Sequence, residues 1–189
     1  MPFEFISSEI LLQGRTFKVR RDTLKTPDGH ETRLEILEHG GSVVLVPVDS
    51  DGNILFVRQY RHATGGNLLE LPAGTREQEE PYEECAAREI REETGMEASR
   101  LQKVGEFYLA PGYSSEFMAV FLATGLKYNP LDADDDEFLV VEKMSLKKIM
   151  QIVKSGQMLD AKTLAALLLA KPHLNGILGA IGQQRKSDY

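Results

Sequence analysis

Between Gly74 and Met96 the chain reads GTREQEEPYEECAAREIREETGM, an unusual density of carboxylates on one short segment. Glu89 and Glu93 lie four residues apart, so on a helix their side chains emerge on the same face one turn apart, with Glu92 beside them. Like charges at that spacing repel. Two or three carboxylates brought to hydrogen-bonding distance need a hard divalent cation between them, and Mg²⁺ takes oxygen ligands. A run of acids with no other mark would be a solvated helix face, so the surrounding pattern has to decide.

The elements that position these acids are legible. Pro81 suits a first helical turn, Glu79, Glu80, Glu83 and Glu84 favour the positive N-terminal end, and Gly95 is a C-terminal stop. Tyr82, Ala86 and Ile90 recur at i, i+4 and i+8, with Cys85 alongside, and predict a buried stripe. Upstream, short strands are expected at Phe3 to Leu12, Arg15 to Leu24 and Thr32 to Glu38, broken by Gly14 and by Pro27-Asp28-Gly29, as a small antiparallel sheet. The β-branched run Ser42 to Val48, the turn Asp49-Ser50-Asp51-Gly52-Asn53 and the strand Ile54 to Tyr60, expected with alternating burial, read as a hairpin. Further strands are expected at Asn67 to Leu71, Leu101 to Leu109, Glu116 to Ala123 and Phe138 to Glu142. Ser145 caps a helix over Leu146 to Lys154 that stops at Gly156, and Asp160 caps another over Ala161 to Lys171, ended by Pro172. The plan is α+β, with two or three helices around a central sheet. Residues 1–40 form an N-terminal antiparallel sheet and 41–189 a catalytic domain.

Composition narrows the class. A chain of 189 residues with 42% hydrophobic content buries one good core. One cysteine excludes an intramolecular disulfide framework, and a reducing cytoplasm is the default location. The longest apolar run, Leu164 to Ala170, falls far short of the ~20 residues needed to cross a bilayer. A net charge of -7 argues against a nucleic-acid partner. An acidic enzyme acting on an anionic substrate then needs a metal and a few placed arginines.

The whole segment fits G-x5-E-x7-R-E-U-x-E-E-x-G-U, with U a bulky aliphatic, through Gly74, Glu80, Arg88, Glu89, Ile90, Glu92, Glu93, Gly95 and Met96. A chance match at a given start is on the order of 10⁻⁹ at ordinary residue frequencies. The segment resembles the Nudix box. That resemblance implies an α/β/α sandwich and hydrolysis of a nucleoside diphosphate linked to another moiety, with Mg²⁺ (or Mn²⁺) held on a loop-helix-loop. Pro111, sixteen residues past Gly95 and followed by Gly112-Tyr113-Ser114-Ser115-Glu116, resembles the ADP-ribose pyrophosphatase branch. So do Arg58-Gln59-Tyr60-Arg61 ahead of Leu68-Leu69-Glu70-Leu71-Pro72-Ala73-Gly74, and the N-terminal sheet. The branch implies a homodimer in which that sheet is swapped between protomers.

On this resemblance, Glu89 and Glu93 are the expected metal ligands, with Glu92 assisting the chemistry and the Ala73 carbonyl contributing from the loop before the helix. Arg88 is read as orienting neighbouring carboxylates, and Glu80 as anchoring the loop. Arg61 suits a diphosphate contact through its guanidinium fork, and Glu70 and Glu116 match positions that shape the substrate site. The acidic stretch Asp132-Ala133-Asp134-Asp135-Asp136-Glu137 is a loop by composition, and in this branch a loop at that place carries a catalytic glutamate. Counting back from Ser145 puts Glu137 on one matching position and Asp135 on the other, where the family more often has glutamate; Glu137 is the first choice of base and Asp135 the second. The favoured substrate is ADP-ribose. Another nucleotide sugar such as GDP-mannose, or a binding module that holds ADP-ribose without cleaving it, are the alternatives. Phe17 is a candidate to stack on adenine, with a core position as its plainer reading.

Overall fold

The computed structural model describes residues 2–132 and 138–187, with side chains described up to residue 179. Three strands, β1 (Glu4–Gln13), β2 (Phe17–Lys25) and β3 (Glu31–His39), pair antiparallel in the order β1-β2-β3. The β2-β3 reversal is closed by Thr26 N–H to the His30 carbonyl, with Gly29 at φ +92, a conformation open to glycine. The sheet is tied to the rest of the chain through Leu37, whose N–H donates to the Tyr113 carbonyl and whose carbonyl accepts from Ser115 N–H.

Next come β4 (Ser42–Pro47), β5 (Asn53–Arg61), β6 (Gly66–Glu70) and β7 (Ala73–Thr75). After them the chain runs through helix α1 (Tyr82–Thr94), β8 (Met96–Tyr108), β9 (Phe117–Tyr128), β10 (Leu139–Ser145), α2 (Leu146–Lys154) and α3 (Ala161–Ser187). The strands form two further sheets, a mixed one in the order β7-β4-β9-β8 and an antiparallel one in the order β10-β5-β6. β4 and β9 run parallel. β4 is buried along its whole length, as a strand without polar alternation must be when both its faces are covered. Val43 and Leu45 pack with Cys85, Ala86 and Ile90 of α1, while Val44 and Val46 pack with Phe56, Ile149 of α2 and Ala166, Ala170 and Leu174 of α3. The layers make an α/β/α sandwich with an additional N-terminal antiparallel sheet.

Two expectations from the sequence are corrected. The turn at Asp49–Asn53 forms, with Asp49 Oδ1 accepting from the N–H groups of Asp51 and Asn53 at 2.9 Å each. The strands it joins are nevertheless no hairpin. β4 pairs with β7 and β9, β5 pairs with β10 and β6, and only the Val48-Ile54 bridge links the two runs. A turn fixes the reversal of the chain; β4 and the run 54–57 of β5, buried continuously where alternation is expected, each need neighbours of their own to bury both faces. Pro172 does not end the last helix either, but lies inside α3. Leu174 beyond it is 1% exposed, and Ile177 and Leu178 pack on the same cluster, so burial of the following turn outweighs the lost backbone hydrogen bond.

Candidate active site

Helix α1 is built as its sequence requires. Pro81 is the N-cap residue without a side-chain cap, Glu83 and Glu84 occupy the first turn, and Gly95 closes the helix in the left-handed conformation at φ +71 with its N–H on the Arg91 carbonyl. The buried face holds Cys85, Ala86 and Ile90, and with them Glu89 and Glu93, at 7% and 5% exposure. Two buried carboxylates one turn apart, beside an apolar stripe, are costly unless each is held.

Each is held differently. Glu93 Oε2 accepts from the N–H of Ala73 at 2.9 Å, which ties the last turn of α1 to β7. Glu89 lies over the backbone of the next residue. A Cβ built on Gly74 would stand 1.8 Å from the Glu89 carboxyl carbon, so only glycine admits that carboxylate. Arg88 draws the remaining acids together: Nη1 donates to Glu89 Oε1 at 2.7 Å and to Glu92 Oε2 at 2.8 Å, while Nε and Nη2 take both oxygens of Glu80 at 3.0 and 2.9 Å. Nη2 also reaches the Thr75 carbonyl at 3.2 Å. The hydrogen bonds to Glu80 and the charge of Glu89 push the Arg88 guanidinium further up, and the same pairing holds the Glu80 carboxyl below its ordinary range. Glu80 also receives the Glu77 N–H, closing the loop before the helix.

A second charged group adjoins this one. Glu70, at the end of β6, is 1% exposed and takes both oxygens into a bidentate pair with Arg61 at 2.8 and 2.7 Å. Lys162, in the first turn of α3, donates to the same carboxylate, and to Asp160 at 3.0 Å. Burial pushes the Glu70 carboxyl up, but Arg61 and Lys162 outweigh it and hold it below its ordinary value. Arg61 is raised first by its hydrogen bonds with Glu70, and it also feels the charges of Glu93 and Asp160. The half-buried Glu116 accepts from Ser42 Oγ at 3.3 Å, near the start of β4.

Of the expected site residues, the structure brings Ala73, Glu89, Glu92 and Glu93 together around α1 and β7, and sets Arg61 and Glu70 beside them as a pair. Asp135 and Glu137 lie outside the described residues. Lys162 and Thr163 had no signal in the sequence beyond the cap at Asp160, because their partners are 92 residues away. Phe17 is 36% exposed and no core residue; it lines a cavity of about 210 Å³ with Arg15, Lys18 and His39. Cys85 is fully buried, and burial pushes its thiol up, away from reactivity.

Among the described residues no three acids, histidines or cysteines are grouped closely enough to hold a metal ion by themselves. The donor set nonetheless fits a hard divalent cation. Its members are all oxygens, two are buried carboxylates one helical turn apart, and the lack of a Cβ on Gly74 lets the Glu89 carboxylate lie against β7. Arg88 supplies positive charge to Glu89 and Glu92, so these acids do not face one another uncompensated.

The family model described as NUDIX domain matches residues 38–167. The chain belongs to the Nudix family of hydrolases, in its ADP-ribose pyrophosphatase branch. It is 34% identical over 164 residues to an ADP-ribose pyrophosphatase of Bacillus subtilis, covering 86% of this chain and 89% of that one. It is 48% identical over 126 residues to an ADP-ribose pyrophosphatase of Mycobacterium tuberculosis, covering 66% of this chain and 61% of the relative. A GDP-mannose pyrophosphatase of Yersinia enterocolitica is 30% identical over 184 residues, covering 90% and 95%. A solved structure of an ADP compounds hydrolase superposes with a TM-score of 0.82 at 25% identity, covering 93% of this chain and 96% of that one. Nudix hydrolases generally use divalent metal ions.

Proposed function

We propose that the protein hydrolyses the diphosphate of ADP-ribose to AMP and ribose 5-phosphate, using Mg²⁺. The observation that carries this reading is the pair of buried carboxylates, Glu89 and Glu93, set against the Ala73-Gly74 backbone in a chain whose similarity to ADP-ribose pyrophosphatases extends over 86% of its length. When bound, a divalent cation would neutralise the diphosphate oxygens and lower the pKa of a water, so that the water can be deprotonated and attack phosphorus. Glu89, Glu93 and the Ala73 carbonyl would hold it. Glu92 stands within the same arginine-bound cluster and assists. Arg61, whose Nε and Nη2 are taken by Glu70, would have Nη1 left for the diphosphate, and Glu116 would border the site. The water gives its proton to a carboxylate, for which Glu137 and then Asp135 are the choices; one P–O bond of the diphosphate bridge breaks, and no covalent enzyme intermediate is needed.

The active unit in this reading is a cytoplasmic homodimer with the N-terminal sheet (1–40) swapped onto a partner. In support, Phe5, Ile10 and Leu34 are exposed at 60%, 57% and 44% and share one face of that sheet by register. The one thiol is buried and unpaired, in keeping with a reducing compartment. GDP-mannose is the second substrate reading, because a GDP-mannose pyrophosphatase matches over 90% of the chain. A panel of ADP-ribose, GDP-mannose, UDP-glucose and diadenosine polyphosphates with Mg²⁺ tests the proposal. ADP-ribose is expected to turn over with the highest kcat/KM; preference for GDP-mannose would transfer the assignment to that sugar, and no turnover of any would favour a binding module.

A further inference from the structure

The link between β6 and β7 is the place where the chain leaves one sheet for another. Glu70 ends a strand of the β10-β5-β6 sheet, and Ala73 begins one of the β7-β4-β9-β8 sheet. Leu71 and Pro72 cross between them, both buried. Backbone groups in such a crossing lie beyond the reach of either ladder, yet burial demands partners for them. The Pro72 carbonyl finds Leu45 N–H at 2.8 Å. The Leu71 N–H finds a side chain: it donates to Thr163 Oγ1 at 2.8 Å, and Thr163 is itself fully buried. One residue earlier Lys162, also buried, grips Glu70, and Asp160 caps the helix by accepting the Thr163 N–H at 3.0 Å while pairing with Lys162.

We propose that the first turn of α3, through Thr163 and Lys162, is a positioning element for the metal site: it fixes the segment Glu70 to Ala73, and thereby the backbone on which Glu93 and the proposed cation rest. The chain of contacts is continuous. Thr163 holds Leu71, two residues on Ala73 N–H holds Glu93, and Lys162 holds the carboxylate that orients Arg61. Neither residue touches the substrate in this account, and both lie outside the Gly74 to Met96 segment. The inference rests on the Nudix reading of α1 and on Ala73, Glu89 and Glu93 as ligands.

The test uses the full-length protein and three variants. Thr163→Val keeps the volume and removes the acceptor, Thr163→Ser keeps the acceptor, and Lys162→Met keeps most of the stem and removes the charge. Mn²⁺ affinity is read without substrate by the electron paramagnetic resonance of free Mn²⁺, and the Mg²⁺ concentration for half-maximal ADP-ribose turnover is read beside it, with circular dichroism to check the fold. Loss of a supporting contact to a metal site weakens affinity by about 10–100-fold. Thr163→Val and Lys162→Met are each expected to fall in that range while Thr163→Ser stays within about twofold of the parent. A folded Thr163→Val or Lys162→Met protein with parental Mn²⁺ affinity overturns the positioning role while leaving the hydrolase intact. Serine failing to rescue overturns the role of the hydroxyl. A parent protein that neither binds Mn²⁺ nor turns over ADP-ribose overturns the functional reading and this inference with it.

Discussion

Arg88 stands where the acids of one helix would otherwise repel, and it contacts three carboxylates, Glu80, Glu89 and Glu92. Its role follows from the fork of its guanidinium, which serves several oxygens at once where an ammonium would serve as a point charge. Glu70 is the comparable residue on the other side of the site, a buried acid kept ionised by two cations. Its carboxyl is held below the ordinary range, so its contribution to stability is fully present above the unfolded carboxylate pKa, about 4.3, and is lost as pH falls through the folded value. Urea midpoints of the parent and Glu70→Gln proteins across a pH series should therefore converge as pH drops below about 4.3. A gap that stays constant down to the lowest pH at which both fold would contradict the ionised, doubly paired Glu70. The spacing of Glu89 and Glu93 was legible in the sequence because i, i+4 is a local relation. The partnership of Glu70 with Lys162 was not, because nothing local relates residues 92 positions apart.

At the scale of elements, the Nudix segment works as a helix pressed on a very short strand. α1 was readable from Pro81 to Gly95 through its caps and apolar stripe, and α2 begins at its expected cap, Ser145, whose Oγ accepts from Lys148 N–H. β7 has three residues, too few to show a period, and strand partners are chosen by the sheets around them. Those two facts account for the hairpin that does not form and for the absence of any sequence signal for β7. Gly74 of β7 carries the element-scale prediction. An added Cβ meets the end of a flexible side chain, so Gly74→Ala should keep the fold while Glu89 moves aside. The expected result is unchanged circular dichroism with the Mg²⁺ requirement for turnover raised by about tenfold or more. Parental Mg²⁺ dependence would show that Glu89 does not need its place over Gly74.

The whole molecule joins a sandwich to a three-stranded sheet, one face of which mixes the exposed apolar side chains Phe5, Ile10 and Leu34 with Arg20 and Asp22. Covering these apolar side chains, with Arg20 and Asp22 between them, is what a partner would do in the proposed dimer. Sedimentation should give about twice the 21.1 kDa chain mass, and Ile10→Lys with Leu34→Lys should shift the population toward monomer. A stable monomer at micromolar concentration would remove the swapped-sheet architecture. No helix among the described residues is long and apolar enough to cross a membrane. The central claim, that carboxylates on α1 hold a divalent ion for cleavage of ADP-ribose, is tested most directly by chromatography of the products formed from ADP-ribose by the parent and Glu93→Gln proteins, with Mg²⁺ and with chelator. The account predicts AMP and ribose 5-phosphate in equal amounts from the parent with Mg²⁺, none with chelator, and a rate lower by on the order of 10²-fold for Glu93→Gln. Equal turnover with chelator, or a Glu93→Gln protein as active as the parent, would contradict it.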